Sequence, residues 1–262
     1  MTVAAEVSPR QQNTLTVRDL HRNFGGVRAV DGASLSVAPG RITGLIGPNG
    51  AGKSTVLAMI AGALKPSAGS ILFEGHEITQ MRARHVPLSG VVRTFQLPSE
   101  FARLTVLENL VVAAPSQRGE GLAGALLGRW YWRSQESQIV DRARALLARF
   151  DLGDKEDSYA GELSGGQKRL LEIMRCLMVR PKLLLLDEPM AGVNPSLARR
   201  IETYLLELRE EGLTMLLIEH ELGLVERICD PVIVMAHGRV IAQGSMADLR
   251  ARQEVLDAYL IG

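Results

Sequence analysis

Cysteine is nearly absent from the 262 residues; Cys176 and Cys229 are the only two. Two such thiols make no disulfide framework and have no metal-ligand spacing. Both are expected as small buried hydrophobes in a reducing compartment. Aromatics are scarce as well, with 2 Trp, 4 Tyr and 5 Phe, which speaks against a platform for stacking single-stranded nucleic acid. Neither sign of charge dominates: 30 Lys and Arg stand against 29 Asp and Glu, a net charge of +1. No strongly basic face is forced, and nucleic acid is not an expected partner. Long apolar runs are missing too. A membrane span needs about 20 apolar residues, whereas the clean runs here are short, as in Leu183–Leu186 and Val232–Ala236. The opening MTVAAEVSPRQQN has no charged region followed by an apolar one, so no signal peptide is expected. Residues 1–13 read as a polar leader. What remains is ordinary globular composition, 46% hydrophobic and 23% charged, at a length that can bury a sizeable core without staples.

Hydrophobic patterning predicts an α/β protein. Thr14–Arg18, Ala33–Val37 and Arg41–Ile46 alternate like strands, with Pro39-Gly40 as a turn. A helix is expected over Lys53–Ala61, stopped by Gly62, and a further strand over Ile71–Phe73. Residues 76–160 show no β pattern. Glu100–Ala114 and Gln135–Phe150 carry helical periodicity, so the block reads as a helical insertion. Strand and helix then alternate again: Leu183–Leu186, a helix over Arg199–Glu211, a strand over Thr214–Ile218, and a hairpin about His237-Gly238. No internal repeat is visible, so the chain reads as one unit spanning 14–262. The expected division is a core with a β subdomain (14–95 and 181–262) and a helical insertion (about 96–180).

Three motifs carry chemistry. Gly47, Pro48, Asn49, Gly50, Ala51, Gly52, Lys53, Ser54 and Thr55 fit G-x-x-x-x-G-K-[ST] between an expected strand and an expected helix. Glycines let successive backbone N–H groups face phosphate oxygens, and the helix start adds partial positive charge. Lys53 supplies a full charge, and the Ser54 hydroxyl is a hard ligand for Mg²⁺. Second, the apolar strand ending in Asp187-Glu188 aims carboxylates at the edge where ligands of open α/β sheets bind. Asp187 suits a Mg²⁺ shell, and Glu188 is a candidate general base for water attacking a γ-phosphate. Third, Ser164, Gly165, Gly166 and Gln167 precede a helix expected through Lys168–Val179. Ser164 could merely cap that helix. The two glycines could instead make a second anion site. One set of nucleotide phosphates and two phosphate-binding helix starts are most simply reconciled by two chains, each lending its second site to the other's nucleotide.

GPNGAGKST, LSGGQ and LLLLDEP, in this order, resemble the ATP-binding cassette (ABC) ATPases over essentially residues 14–262. The resemblance implies a P-loop NTPase core with a mainly parallel sheet, an N-terminal antiparallel β subdomain and an inserted helical subdomain. It implies ATP and Mg²⁺ as ligands, sandwiched in a head-to-tail dimer with an identical or sister chain. It also assigns further residues. Phe24 matches the aromatic that stacks on adenine, with a core Phe as the plain alternative. Gln96 matches the glutamine that meets Mg²⁺ and senses the membrane partner. His220 matches the histidine that contacts the γ-phosphate. One departure stands out: where many cassettes have an Asp-containing loop after the catalytic Glu, this chain has Ala191-Gly192-Val193-Asn194-Pro195.

A narrower likeness lies in VVRTFQ, LTVLENL, LLEIMRCL, DEPMAGVNP, IEHEL and VLDAYL. Together these look like the ATP-binding subunits of branched-chain amino acid importers, with relatives serving urea and short amides. The stretch after His220 is too short for the appended regulatory domain of sugar-importer cassettes. The likeness implies a chain on the cytoplasmic face of the cell membrane, attached to integral permease subunits and served indirectly by a solute-binding protein. Permease contact is expected around Gln96–Leu110. Trp130-Tyr131-Trp132 either packs on its own helical block or touches the membrane side. The main alternative is a soluble ABC-class ATPase without a channel, as in Fe–S assembly or DNA repair. A P-loop kinase or GTPase has no use for LSGGQ.

Overall fold

A computed structural model of the chain describes residues 13–94, 100–115 and 129–260, and the side chains of all of these except 129–134 and 259–260. The first strands are longer than their alternating cores. β1 (Leu15–Phe24) and β2 (Val27–Val37) form an antiparallel hairpin turning at Gly25-Gly26. β4 (Ala68–Phe73) pairs with the other edge of β1, and the short β5 (His76–Glu77) completes a four-stranded antiparallel sheet in the order β2-β1-β4-β5. A bulge near Asp19 shifts the register and hides the period-two signal in the second half of β1.

The second sheet has six strands. They are β3 (Ile42–Ile46), β6 (Val91–Arg93), β7 (Leu183–Asp187), β8 (Thr214–Ile218), β9 (Val232–Ala236) and β10 (Arg239–Gly244). Their order is β10-β9-β3-β8-β7-β6, parallel from β9 to β6, with β10 antiparallel at one edge. Every residue of β3, β7, β8 and β9 is buried. That is why these strands are continuous apolar runs and not alternating ones. The two sides of the sheet still do different work. Leu183, Leu185, Leu216, Ile218, Ile233 and Met235 pack with α1 (Lys53–Ile60) and the antiparallel sheet. Leu184, Leu186, Met215, Leu217, Val232 and Val234 pack on the opposite side with the larger helical cluster.

That cluster contains α3 (Val106–Ala113), α4 (Arg129–Arg149), α5 (Gly165–Met178), α6 (Pro195–Glu210) and α7 (Leu222–Ile228). Short helices α2 (Val86–Ser89), α8 (Met246–Arg250) and α9 (Gln253–Leu260) complete the described set. Both cysteines are buried, and burial pushes each thiol up to about 12, so neither is reactive near neutral pH.

Four expectations need correction. The block 76–160 is not purely helical, because β6 joins the parallel sheet beside β7. Three residues, Val-Val-Arg, are too few to display a period. The helix expected from Glu100 starts only at Val106, where Thr105 and Glu108 form a capping box. Before it, the fully buried Asn109 side chain holds a loop: it donates to the carbonyls of Phe101 and Thr105 and accepts from the Phe101 N–H. The helix after LSG begins at Gly165, three residues ahead of Lys168, so the two glycines form its first turn. The helix expected from Arg199 likewise opens earlier, at Pro195, with Asn194 as its cap.

Candidate functional site

Residues 47–52 link the C-terminal end of β3 to α1, and their path leaves no room for side chains at two glycines. A Cβ on Gly47 (φ 147°) would lie 2.0 Å from the Met235 carbonyl oxygen of β9. One on Gly52 (φ 95°) would lie 2.3 Å from the Ala29 carbonyl oxygen of β2. Gly52 caps α1 without any side-chain bond, and no acidic residue sits in the first turn. The N–H groups of that turn are left for an anion. Lys53 is buried, and its Nζ donates to the carbonyls of Gly47 (2.7 Å) and Pro48 (2.8 Å), closing the loop on itself. Burial draws its ammonium pKa below the usual lysine value, against the opposing charges of Glu188 and Asp187.

Beside this loop, β7 delivers Asp187 fully buried. Its Oδ1 accepts from the Ser54 hydroxyl at 3.2 Å and its Oδ2 from Arg93 Nη2 at 2.9 Å. Hydroxyl and carboxylate are hard oxygens, so Ser54 and Asp187 fit a divalent cation such as Mg²⁺. Glu188 follows with φ 51°, an uncommon value for a side-chain-bearing residue, and its N–H donates to the Ile218 carbonyl of β8. The Glu188 carboxylate meets His220 Nε2 at 2.8 Å, both groups being partly open to solvent. A carboxylate oriented in this way can accept a proton from a water molecule.

Phe24 is at the end of the β1–β2 hairpin and 48% exposed, so it is not a core residue. The Arg22 guanidinium lies 4.9 Å from its ring centroid. Ser164 caps α5 in a capping box: its Oγ accepts from the Gln167 N–H, and Gln167 Oε1 accepts from the Ser164 N–H. Ser164 and Gly165 are exposed all the same, and a Cβ on Gly165 would meet nothing within 4 Å. Gly166 differs: its Cβ would come 2.3 Å from the Leu197 side chain of α6. In the departing loop, Asn194 Oδ1 accepts from the Leu197 N–H and caps α6, with Pro195 in the first turn. Capping needs an acceptor oxygen and no charge. Gln96 and the span 116–128 lie outside the described residues, as do the side chains of Trp130, Tyr131 and Trp132.

The motifs alone do not single out Glu219 and Arg93. Glu219 is buried, and its carboxylate accepts from the N–H groups of Met190 (3.0 Å) and His220 (3.3 Å). It thus ties the loop after Glu188 to the backbone of His220. Burial raises its pKa above the usual glutamate value, against those two hydrogen bonds. The one sequence signal for either residue is a charged side chain at the end of an otherwise apolar strand.

A cavity of about 390 Å³ opens between the two sides of the molecule. Ala61 and Ala63 after α1, Val91 and Val92 of β6, Ala113 of α3 and Cys176 of α5 are among its lining residues. The stretch 100–110 reaches it through Phe101, whose exposed ring stacks on Arg175 of the lining at 5.1 Å. Among the described residues no helix is long and apolar enough to cross a membrane.

Comparison with known proteins agrees with this geometry. The family model described as ABC transporter matches residues 30–191. The chain is 42% identical over 230 residues to the probable branched-chain amino acid transport ATP-binding protein LivG of Methanocaldococcus jannaschii, covering 88% of this chain and 89% of the relative. It is 39% identical over 250 residues to the high-affinity LivG of Escherichia coli K12, covering 95% and 98%. A solved nucleotide-free ATP-binding cassette from an ABC transporter superposes with a TM-score of 0.80 at 38% identity, covering 94% of this chain and 98% of that one. The ADP conformation of such a cassette gives 0.80 at 38% identity, covering 95% and 98%. A strand-to-helix loop with two positions closed to any side chain, buried carboxylates at the strand ends and these relatives have one common explanation: the chain belongs to the ABC transporter family and is the ATP-binding, ATP-hydrolysing subunit of such a transporter.

Proposed function

We propose that the chain powers import of branched-chain or related amino acids from the cytoplasmic face of the membrane. Two copies, or this chain and a sister cassette, close head to tail on two ATP molecules. The phosphate loop 47–55 cradles the phosphates, Lys53 leaving its own loop carbonyls for phosphate oxygens. Phe24 offers its exposed ring to adenine. Ser164, Gly165, Gly166 and Gln167 cover the partner's nucleotide. The open face at Ser164 and Gly165 supports this, since a capped helix start can still present N–H groups to an anion.

Ser54, Asp187 and Gln96 would hold Mg²⁺, which when bound screens phosphate charge and aligns the γ-phosphate. Glu188 takes the proton of the attacking water, His220 orients it, and Glu219 keeps the two loops in register. The observation that carries this reading is the convergence at one sheet edge of Lys53, the Ser54–Asp187 pair (3.2 Å) and the Glu188–His220 pair (2.8 Å).

The helical arm of about 96–180 faces permease subunits, and the apolar cavity beside β6 and Phe101 receives a short permease helix. A solute-binding protein acts through those permeases. The amino acid cargo is carried over from relatives named for branched-chain amino acid transport. Reconstitution with the permeases encoded beside it should give ATP-dependent uptake of labelled leucine, stimulated by a solute-loaded binding protein. Uptake of urea or an amide instead would overturn the cargo alone. ATP hydrolysis in a soluble assembly that never retains a permease would overturn the transport role.

A further inference from the structure

Asp187 is a carboxylate with no exposed surface, and such a charge must be compensated. The compensation comes from an unexpected quarter. Arg93 and Leu185 are register partners across the parallel β6–β7 pair, so the Arg93 side chain lies on the same side of the sheet as Asp187, two residues on. It reaches forward and donates from Nη2 to Oδ2 at 2.9 Å, its side chain only 18% exposed. Its Nε is buried and finds no partner among the described residues, so this contact is what the guanidinium gains there. Lys53, the other cation near Asp187, is turned to the carbonyls of Gly47 and Pro48.

Both oxygens of Asp187 are therefore engaged within the chain: Ser54 holds one and a full positive charge holds the other. A divalent ion entering here meets a like charge that already claims its carboxylate. We propose that Arg93 is a positioning residue that serves as a stand-in cation: it holds Asp187 in the metal-free site and competes with Mg²⁺ for it, keeping the metal exchangeable between turnovers. This rests on the assignment of Asp187 to the metal. Arg93 has a second face as well. Its carbonyl accepts from the Cys176 thiol, it lines the apolar cavity, and it lies three residues ahead of Gln96. The counter-charge of the metal site and the wall of the proposed permease groove are the same residue.

The test is metal affinity at saturating non-hydrolysable ATP analogue, read by electron paramagnetic resonance with Mn²⁺ in place of Mg²⁺. Arg93→Met removes the competing charge and should bind Mn²⁺ roughly tenfold tighter. Arg93→Lys keeps the charge and should stay near wild type. Unchanged or weaker Mn²⁺ binding in Arg93→Met, with Asp187→Asn weakened, would overturn the role of Arg93 alone. Unchanged binding in Asp187→Asn would overturn the metal assignment of Asp187 itself. If Arg93→Met does not fold, the wild-type protein still decides. Its Arg93 guanidinium N–H signal should be protected without metal and lose that protection when Mg²⁺ and the analogue are added. Protection that persists would overturn the proposal.

Discussion

Two glycine-bearing helix starts, those of α1 and α5, are built in opposite ways. At the phosphate loop, β9 and β2 press carbonyl oxygens to within 2.0 and 2.3 Å of where Cβ atoms of Gly47 and Gly52 would stand. Lys53 is buried beside them, and the loop is complete within one chain. At the start of α5, Ser164 and Gly165 are exposed and nothing stands near a Gly165 Cβ. Glycine is required at Gly47 by the chain's own backbone. At Gly165 the chain itself makes no such demand. An exposed, sterically open helix start fits the proposed role of covering a partner's nucleotide.

The largest expected effect separates these two directly. Gly47→Ala places a methyl inside a carbonyl's contact distance at a φ that L residues rarely adopt, and should abolish nucleotide binding or folding, a cost of about 3 kcal/mol or more. Gly165→Ala should leave monomer stability within about 0.5 kcal/mol and ATP binding intact, while turnover falls. Titration of a fluorescent ATP analogue, thermal melts and phosphate release read the three quantities. Loss of ATP binding to the Gly165→Ala monomer would break the contrast.

Next in size is the carboxylate at the strand end. Glu188→Gln should keep nucleotide affinity and lose about 10²–10⁴-fold in turnover, accumulating an ATP-loaded dimer on gel filtration. Turnover near wild type would remove Glu188 from the proton-transfer role.

The smallest effect concerns Glu219. Its pKa is raised in the fold by burial, so the stability it contributes is present below the ordinary glutamate value of 4.5 and is lost as pH rises through the raised value. Glu219→Gln should lose less stability than wild type over that rise, in chemical denaturation followed at several pH values. Parallel curves for the two proteins would show that Glu219 titrates as it does in the unfolded chain.

How legible all this was depended on whether a feature spoke locally. Buried parallel strands such as Leu183–Asp187 and Thr214–Ile218 announce themselves as apolar runs, and the phosphate loop as a spaced motif. β6 was invisible because three residues carry no period, and the bulge at Asp19 concealed half of β1. The loop 100–105 looked helical because its organiser, Asn109, lies inside the following helix and acts backwards on Phe101. Glu188 is a candidate from its place at a strand end, whereas His220 is one only through the family resemblance. Glu219 and Arg93 could not be named in either way, since what makes them matter is a neighbour across the sheet: the Met190 backbone for one, Asp187 for the other. Asn194 lies in the loop that departs from the Asp-containing loop of many cassettes; the fold gives it a charge-free task as the cap of α6.

The head-to-tail dimer is tested most directly by nucleotide trapping in Glu188→Gln chains. One chain carries Lys53→Ala, the other Ser164→Arg. Each alone should trap no labelled ATP on an isolated dimer, because both of its sandwiches carry a lesion. In the mixed dimer one sandwich carries both lesions and the other none, so mixing should yield a dimer holding one ATP for every two chains. A mixture that traps no more than the separate chains would contradict the account.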